Sequence, residues 1–391
     1  MVRAIGLMSG TSLDGVDAAL VRFEGGAADL TWTLERFLSV PYTAHQRGRI
    51  HDSIVAGTAE LLCSLHASLG EWLAEAANAL CGEAGIEAHA VDVIGSHGQT
   101  VWHQPPQNGR RGATLQLGCA ATIAERTNIP VVSDFRARDV AAGGHGAPLV
   151  PWADRMLFAR ADGARVLQNI GGMANLTWVP PRGSSQRLLA FDTGPGNALI
   201  DAAVQLATDG ERTFDDGGAW AEAGEVNEQM LNELLAHPFF AEQPPKSTGR
   251  EVFGRPFVEA LVARRQPENW TEWATLVATL TMLSVRTIAN AIQRWVVDRG
   301  VEEVIVTGGG ANNPVLMRWL GDALAPIAVR PGDAVGIHPD AKEAIAFAGL
   351  AWAFTMGLSG NVPDATGARG PRVLGSYTPV PGRKLQMEWR P

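Results

Sequence analysis

Asp192 ends an apolar run, Leu188-Leu189-Ala190-Phe191, and opens the loop Thr193-Gly194-Pro195-Gly196-Asn197. Gly194 and Gly196 flank a proline, so the loop is tight and stiff. Asn197 is a residue type that caps helices, and a helix N-terminus favours a nearby anion. A carboxylate held at such a place can take a proton from a hydroxyl group or a water molecule. A plain helix-start acid is the alternative reading. Asp201, one helical turn further on, reads as structural.

A second stretch suits phosphate. Ile5 to Val21 reads as a strand, a small-residue turn and a second strand, with Ser9-Gly10-Thr11-Ser12-Leu13-Asp14-Gly15 at the corner. Gly10, Thr11 and Ser12 offer successive backbone N–H groups with little bulk in the way, which is how a nest holds an anion. Gly10 and Gly15 permit φ > 0. Asp14 and Asp17 suit a cation that accompanies a phosphate, or a hydroxyl group. An ordinary hairpin with a polar tip is the alternative. The same order returns later: Ala164–Ile170, the turn Gly171-Gly172-Met173-Ala174, then Asn175–Val179. Thr307-Gly308-Gly309-Gly310 follows a strand and precedes a helix, where bare backbone suits a flat adenine–ribose unit.

Polar side chains also gather just past strand ends, the usual ligand position in open α/β sheets. After Val91–Ile94 come His97, Gln99 and Thr100; after Ile129–Ser133 come Arg136 and Asp139. A guanidinium offers fixed donors and a carboxylate accepts from hydroxyls. A satisfied loop histidine and a surface ion pair are the alternatives. Pro244-Pro245-Lys246-Ser247-Thr248-Gly249 lacks Walker A spacing, and its prolines remove two donors.

The elements that must position these groups are strands and helices in alternation. Three sequential antiparallel strands open the chain, and a helical pattern covers His45–Ala84. Strands and helices then alternate, with a long helix over Trp273–Arg299 and another over Asp340–Met356. Ala141–Pro148 reads as a crossing between domains or a lid, and the C-terminal segment as an irregular tail. Cys63 and Cys81 fall on the first helical stretch and read as packing residues.

A chain of 391 residues is long enough for two domains. Hydrophobic content of 46% with 19% charged residues describes a globular protein. The net charge is −9 with no Lys/Arg run, which argues against nucleic acid. Three cysteines without CxxC spacing fit a reducing compartment. The sequence shows no signal peptide and no long apolar run, so no membrane partner is expected.

In order and in residue type, Gly6–Asp17, Gly95–Thr100, Asp134–Arg136, Asn169–Asn175, Phe191–Asn197, Lys246–Gly249 and Thr307–Gly310 resemble the signature motifs of the anhydro-N-acetylmuramic acid kinase family. The resemblance spans essentially the whole chain. It implies a two-domain α/β actin-like ATPase fold (sugar kinase/Hsp70/actin) with a central nucleotide cleft. The expected domains are 1–137, completed by 365–391, and 138–364. It also implies ATP-dependent opening of 1,6-anhydro-N-acetylmuramic acid by water, with phosphorylation of O6, in cytoplasmic recycling of cell-wall sugars. Asp192 would be the general base. ATP would meet Gly10, Thr11, Ser12, Leu13, Asp14, Gly15, Val16, Asp17, Gly171, Gly172, Gly308 and Gly309. His97, Arg136, Asp139 and Gly194 would face the sugar, Asp14 would bind Mg²⁺, and the chain would form a homodimer. A levoglucosan-type anhydrosugar kinase would share these motifs. A non-catalytic ATP-dependent switch would need the glycine loops but not Asp192.

Overall fold

The computed structural model describes residues 1–10, 13–27, 29–106, 110–336 and 341–383. The chain divides into two compact units, Met1–Phe158 with Asp340–Pro391, and Ala159–Pro339.

In the first unit, β1 (Val2–Ser9), β2 (Gly15–Glu24) and β3 (Thr31–Pro41) run antiparallel. β4 (Val93–Gln104) lies parallel to β1, and β6 (Val131–Ser133) parallel to β4. β5 (Ala113–Leu117) folds back on the outer half of β4, and β12 (Ser376–Thr378) closes the edge against β6. The resulting order is β12-β6-β4-β1-β2-β3.

Helices cover both faces of this sheet, which is why β1 is buried along most of its length. On one face the helix Ala59–Ala84 presents Leu65, Leu69, Leu73 and Leu80 to Ile5, Leu7 and Ile94. On the other, Lys342–Thr355 lies directly on the strands. Gly6 and Gly95 are registered neighbours, and each has helix backbone where a Cβ would go. A Cβ on Gly95 would stand 2.1 Å from the Phe347 carbonyl oxygen. Gly95→Ala is therefore expected to destabilise this unit by about 1–3 kcal/mol through overpacking. Chemical denaturation checks this, and an unchanged midpoint would contradict it.

In the second unit, β7 (Arg165–Ile170), β8 (Met173–Val179) and β9 (Leu189–Pro195) run antiparallel. β10 (Glu303–Thr307) is parallel to β7, and β11 (Ala328–Pro331) to β10. The order is β11-β10-β7-β8-β9. With the hairpin strand β5 and the edge strand β12 set aside, both sheets read fifth, fourth, first, second, third from each unit's first strand. The repeat suggested by two strand–glycine–strand corners is thus a repeat of topology. The helix Trp270–Trp295 fills this unit's core. Among the described residues it alone is long and apolar enough to cross a membrane, yet 78% of its most apolar window is buried in the protein.

The boundaries depart from the expected 137/138 and 364/365. Asp139, fully buried, accepts hydrogen bonds from Gly146 N at 2.8 Å, Asn361 Nδ2 at 2.7 Å and Thr366 Oγ1 at 2.8 Å. Asp154 meets Lys342 Nζ at 3.0 Å. These polar contacts tie 138–158 and 342–366 into the first unit. Ala141–Pro148 is therefore no crossing between units, and the tail contributes a strand. Cys63 is exposed rather than packed, and only Cys81 is buried.

Candidate active site

In the second unit, Asp192 sits in β9 opposite Asn175. A clasp from the segment after the two prolines holds it. Its backbone N–H donates to Lys246 O at 3.1 Å. Its Oδ2 accepts from Ser247 Oγ at 2.9 Å and Thr248 N at 2.9 Å. Oδ1 carries no hydrogen bond among the described residues, so one oxygen is oriented by the clasp and the other is free. The buried Thr248 hydroxyl is also without a partner. Sequence reading matched Lys246–Gly249 to a family motif but gave Ser247 and Thr248 no role, because their spacing excludes a Walker loop and nothing local ties them to β9.

The loop after Asp192 departs from expectation in two places. Asn197 does not cap the following helix, Ala198–Ala207; its side chain turns back to Ile170 O at 3.4 Å. The N–H groups of Gly196, Asn197 and Ala198 donate to the Gly171 and Gly172 carbonyls at 2.8–3.1 Å. That helix start is therefore largely satisfied from within. Gly194 is buried, and a Cβ there would stand 2.7 Å from the Phe240 ring. Its bareness serves packing against that ring. Burial pushes the Asp201 carboxyl up to about 6, against the pull of Arg250.

The Gly171–Gly172 corner spends the Gly171 N–H on Met173 O. The Gly172 N–H has no hydrogen-bond partner among the described residues, and the Arg250 guanidinium lies 3.2 Å from where a Cβ on Gly172 would be. Arg250 has no ion-pair or hydrogen-bond partner among the described residues. A cation beside an open amide suits a phosphate oxygen, and no sequence pattern marked Arg250. Gly308 takes φ 79° and backs onto Asn169 and Ile170, and Gly309 approaches Asn197.

In the first unit the corner after β1 turns at Leu13, which takes φ 59° and donates its N–H to Gly10 O. Gly15 does not take a positive φ. Gly15 is bare because Val40 backbone lies 2.3 Å from its would-be Cβ. Val16 is a core residue, 1% exposed, so its side chain is unavailable to a nucleotide. Thr11 and Ser12 lie outside the described residues. Asp14 is exposed and its carboxylate is unpaired among the described residues, while Asp17 is half-buried in β2. Beneath the corner, buried Ser9 bonds both Tyr42 and Gln99, so Gln99 braces the strand ends and is not open to a ligand.

Arg136 is the polar group best prepared for a ligand here. Its Nε donates to His97 Nε2 at 3.0 Å and its Nη1 to Gly146 O at 2.8 Å. Nη2 has no partner among the described residues. Because His97 Nε2 accepts, the ring proton is on Nδ1, which donates to Gly98 O at 2.8 Å. Both ring nitrogens are spent and the ring is buried, so His97 orients Arg136 and does not touch the sugar as expected. Asp139, fully buried with its three donors, is likewise structural. Glu343 reaches solvent at the start of its helix, yet surrounding protein holds its carboxyl above the usual range. Arg136 and Lys342 oppose that shift and Asp17 adds to it.

Burial and the Arg136 charge drive His97 from its ordinary 6.5 down to about 3. The unfolded chain therefore binds a proton that the folded chain refuses between those values. Stability is full above pH 6.5 and is lost as pH falls toward 3. Replacing His97 by Gln is expected to flatten the stability–pH profile in that window by up to about 1.4 kcal/mol per pH unit. Denaturant titrations across the window measure it, and an unaltered slope would refute a neutral, buried His97.

Two units of one strand order, each with a glycine corner after its first strand, define the duplicated α/β fold of the actin-like ATPases and sugar kinases. The family model described as anhydro-N-acetylmuramic acid kinase matches residues 2–380. Relatives bearing that description include one from Gloeobacter violaceus, 45% identical over 382 residues, covering 96% of this chain and 98% of its own. One from Caldanaerobacter subterraneus subsp. tengcongensis is 42% identical over 381 residues, covering 96% of each chain. One from Salinibacter ruber is 42% identical over 385 residues, covering 97% of this chain and 96% of its own. The chain belongs to the anhydro-N-acetylmuramic acid kinase family.

Proposed function

We propose that the chain uses ATP to convert 1,6-anhydro-N-acetylmuramic acid to N-acetylmuramic acid 6-phosphate. Water adds its oxygen to C1, the C1–O6 bond breaks, and O6 takes the γ-phosphoryl group, leaving ADP. The observation that carries this reading, beside family membership, is the clasped Asp192 with one free carboxylate oxygen. Oδ1 takes the proton from the attacking water, while Ser247 and Thr248 keep the carboxylate aimed. Arg136, held by His97 and Gly146, presents Nη2 to the lactyl carboxylate.

Phosphoryl transfer relies chiefly on positioning and charge stabilisation. The Gly10–Asp17 corner, the Gly172 amide with Arg250, and the Gly308–Gly309 backbone are the groups that suit ATP. No cluster of three or more metal-ligating side chains exists among the described residues. Mg²⁺ on a nucleotide needs only one or two carboxylates beside phosphates and waters, and the unpaired Asp14 fits that need. When bound, the ion spreads charge over the phosphates. ATP as the donor supports a cytoplasmic reaction.

Arg250→Met is expected to raise KM for ATP about tenfold or more, the equivalent of one charge-assisted hydrogen bond, with a smaller change in the sugar's KM. Steady-state kinetics on both substrates separates the two effects. Product analysis in ¹⁸O water tests the whole reaction. Label at C1 of a 6-phosphorylated product is expected, and phosphorylation without label would overturn the reading. Equal turnover of levoglucosan would shift the substrate to simpler anhydrosugars.

A further inference from the structure

The first unit contains a groove of about 880 Å³, lined by Pro106, the segment 110–114 and the helix Ala137–Ala141. Arg110, Arg111 and Arg369 all line it, and no acidic residue does among the described residues. Arg110 and Arg111 have no ion-pair or hydrogen-bond partner there. Arg369 is held in place by donating from Nη2 to Ala141 O at 3.3 Å. Gly143 makes room for it: a Cβ there would stand 2.9 Å from Nη1. The floor is apolar, with Ala137 and Val140. Three exposed guanidinium groups with no acidic partner among the described residues share one groove, and they stand out on a chain of net charge −9.

We propose that this groove binds a phosphate monoester dianion on a sugar-sized body. Guanidinium forks match phosphate oxygens in pairs, so three forks suit a doubly charged group better than a single carboxylate. The apolar floor and the volume suit a carbon ring beside the phosphate. Arg136, which the proposed reaction uses, donates to Gly146 O and is not among the residues lining the groove. The proposal is therefore independent of the reaction assigned above. An occupant in contact with Gly143 touches the loop that holds Arg136, so occupancy reaches the sugar-binding arginine through one short segment.

Calorimetric titration of the full chain with glucose 6-phosphate and with inorganic phosphate, at constant ionic strength, tests this. Binding of glucose 6-phosphate is expected, weakened at least tenfold in the Arg110→Gln/Arg111→Gln/Arg369→Gln variant and retained in Arg136→Gln. Val140→Trp, which fills the floor without changing charge, is expected to weaken glucose 6-phosphate more than inorganic phosphate. Equal binding of inorganic phosphate by the unaltered protein also supports the site, and assigns recognition to the phosphate group alone. No binding of either anion, or binding that survives the triple substitution, overturns the proposal. So does loss in Arg136→Gln with retention in the triple variant.

Discussion

Asp192→Asn is expected to lower turnover by at least about 10²-fold, the low end for removal of a general base, while leaving ATP binding intact. The substitution is nearly isosteric. The amide oxygen can still accept from Ser247 Oγ and Thr248 N, both 2.9 Å from Oδ2 in the present geometry. The clasp and the β9 backbone therefore remain, and what is lost is the capacity of the other oxygen to take a proton. The groups that suit nucleotide, among them Gly172 and Arg250, do not depend on that capacity. Coupled ADP-release kinetics and nucleotide titration on the same preparation separate the two effects. Turnover near the unsubstituted rate would remove Asp192 from the chemistry. It would also favour the ATP-dependent switch, which needs the glycine corners and not the base. Ser247→Ala gives a graded companion, because it loosens the carboxylate without deleting it.

Asp154→Ala is expected to cost about 3–5 kcal/mol of stability, the range for removing one partner of a buried ion pair. Asp154 is fully buried, and the Lys342 side chain that meets it at 3.0 Å is 11% exposed. Without the carboxylate an ammonium group is left where water hardly reaches. Lys342 opens the helix that lies on Gly6 and Gly95, so the cost falls on the contact that organises the first unit. The thermal midpoint should fall by roughly 6–20 °C. The double variant Asp154→Leu/Lys342→Met should recover most of the loss, because apolar groups of similar volume can replace a buried pair with little penalty. Differential scanning calorimetry of the three forms decides it. A single variant within about 1 kcal/mol of the unsubstituted protein would mean the pair is solvated.

Much of the candidate site is legible in the residues because its markers are local. Asp192 follows an apolar strand and precedes a stiff loop, and both facts lie within ten residues. The strand–glycine–strand corners are contiguous and carry their own turn chemistry. Hydrophobic periodicity marks the helix Ala59–Ala84 without help from its neighbours. Roles that depend on distant partners are not legible in this way. Arg136 and His97 are 39 residues apart, and only their hydrogen bond shows that the histidine orients the arginine. Asp139 resembles a ligand residue until Asn361 and Thr366, more than 220 positions away, are seen to consume its carboxylate. Gly194 resembles a loop glycine until Phe240 is found against it.

Type and neighbourhood along the chain were enough to mark the strands, the glycine corners and Asp192 as a candidate base, and the resemblance those motifs carry supplied the family and its fold. They suffice because turn geometry, strand alternation and small-residue corners are set by interactions a few residues long. Packing alone assigned the oriented guanidinium of Arg136, the clasp on Asp192, the cation at Gly172, and the unit boundary after Phe158. Each of these is a polar or steric contact between segments far apart in sequence, and no local preference encodes which distant atom will stand there.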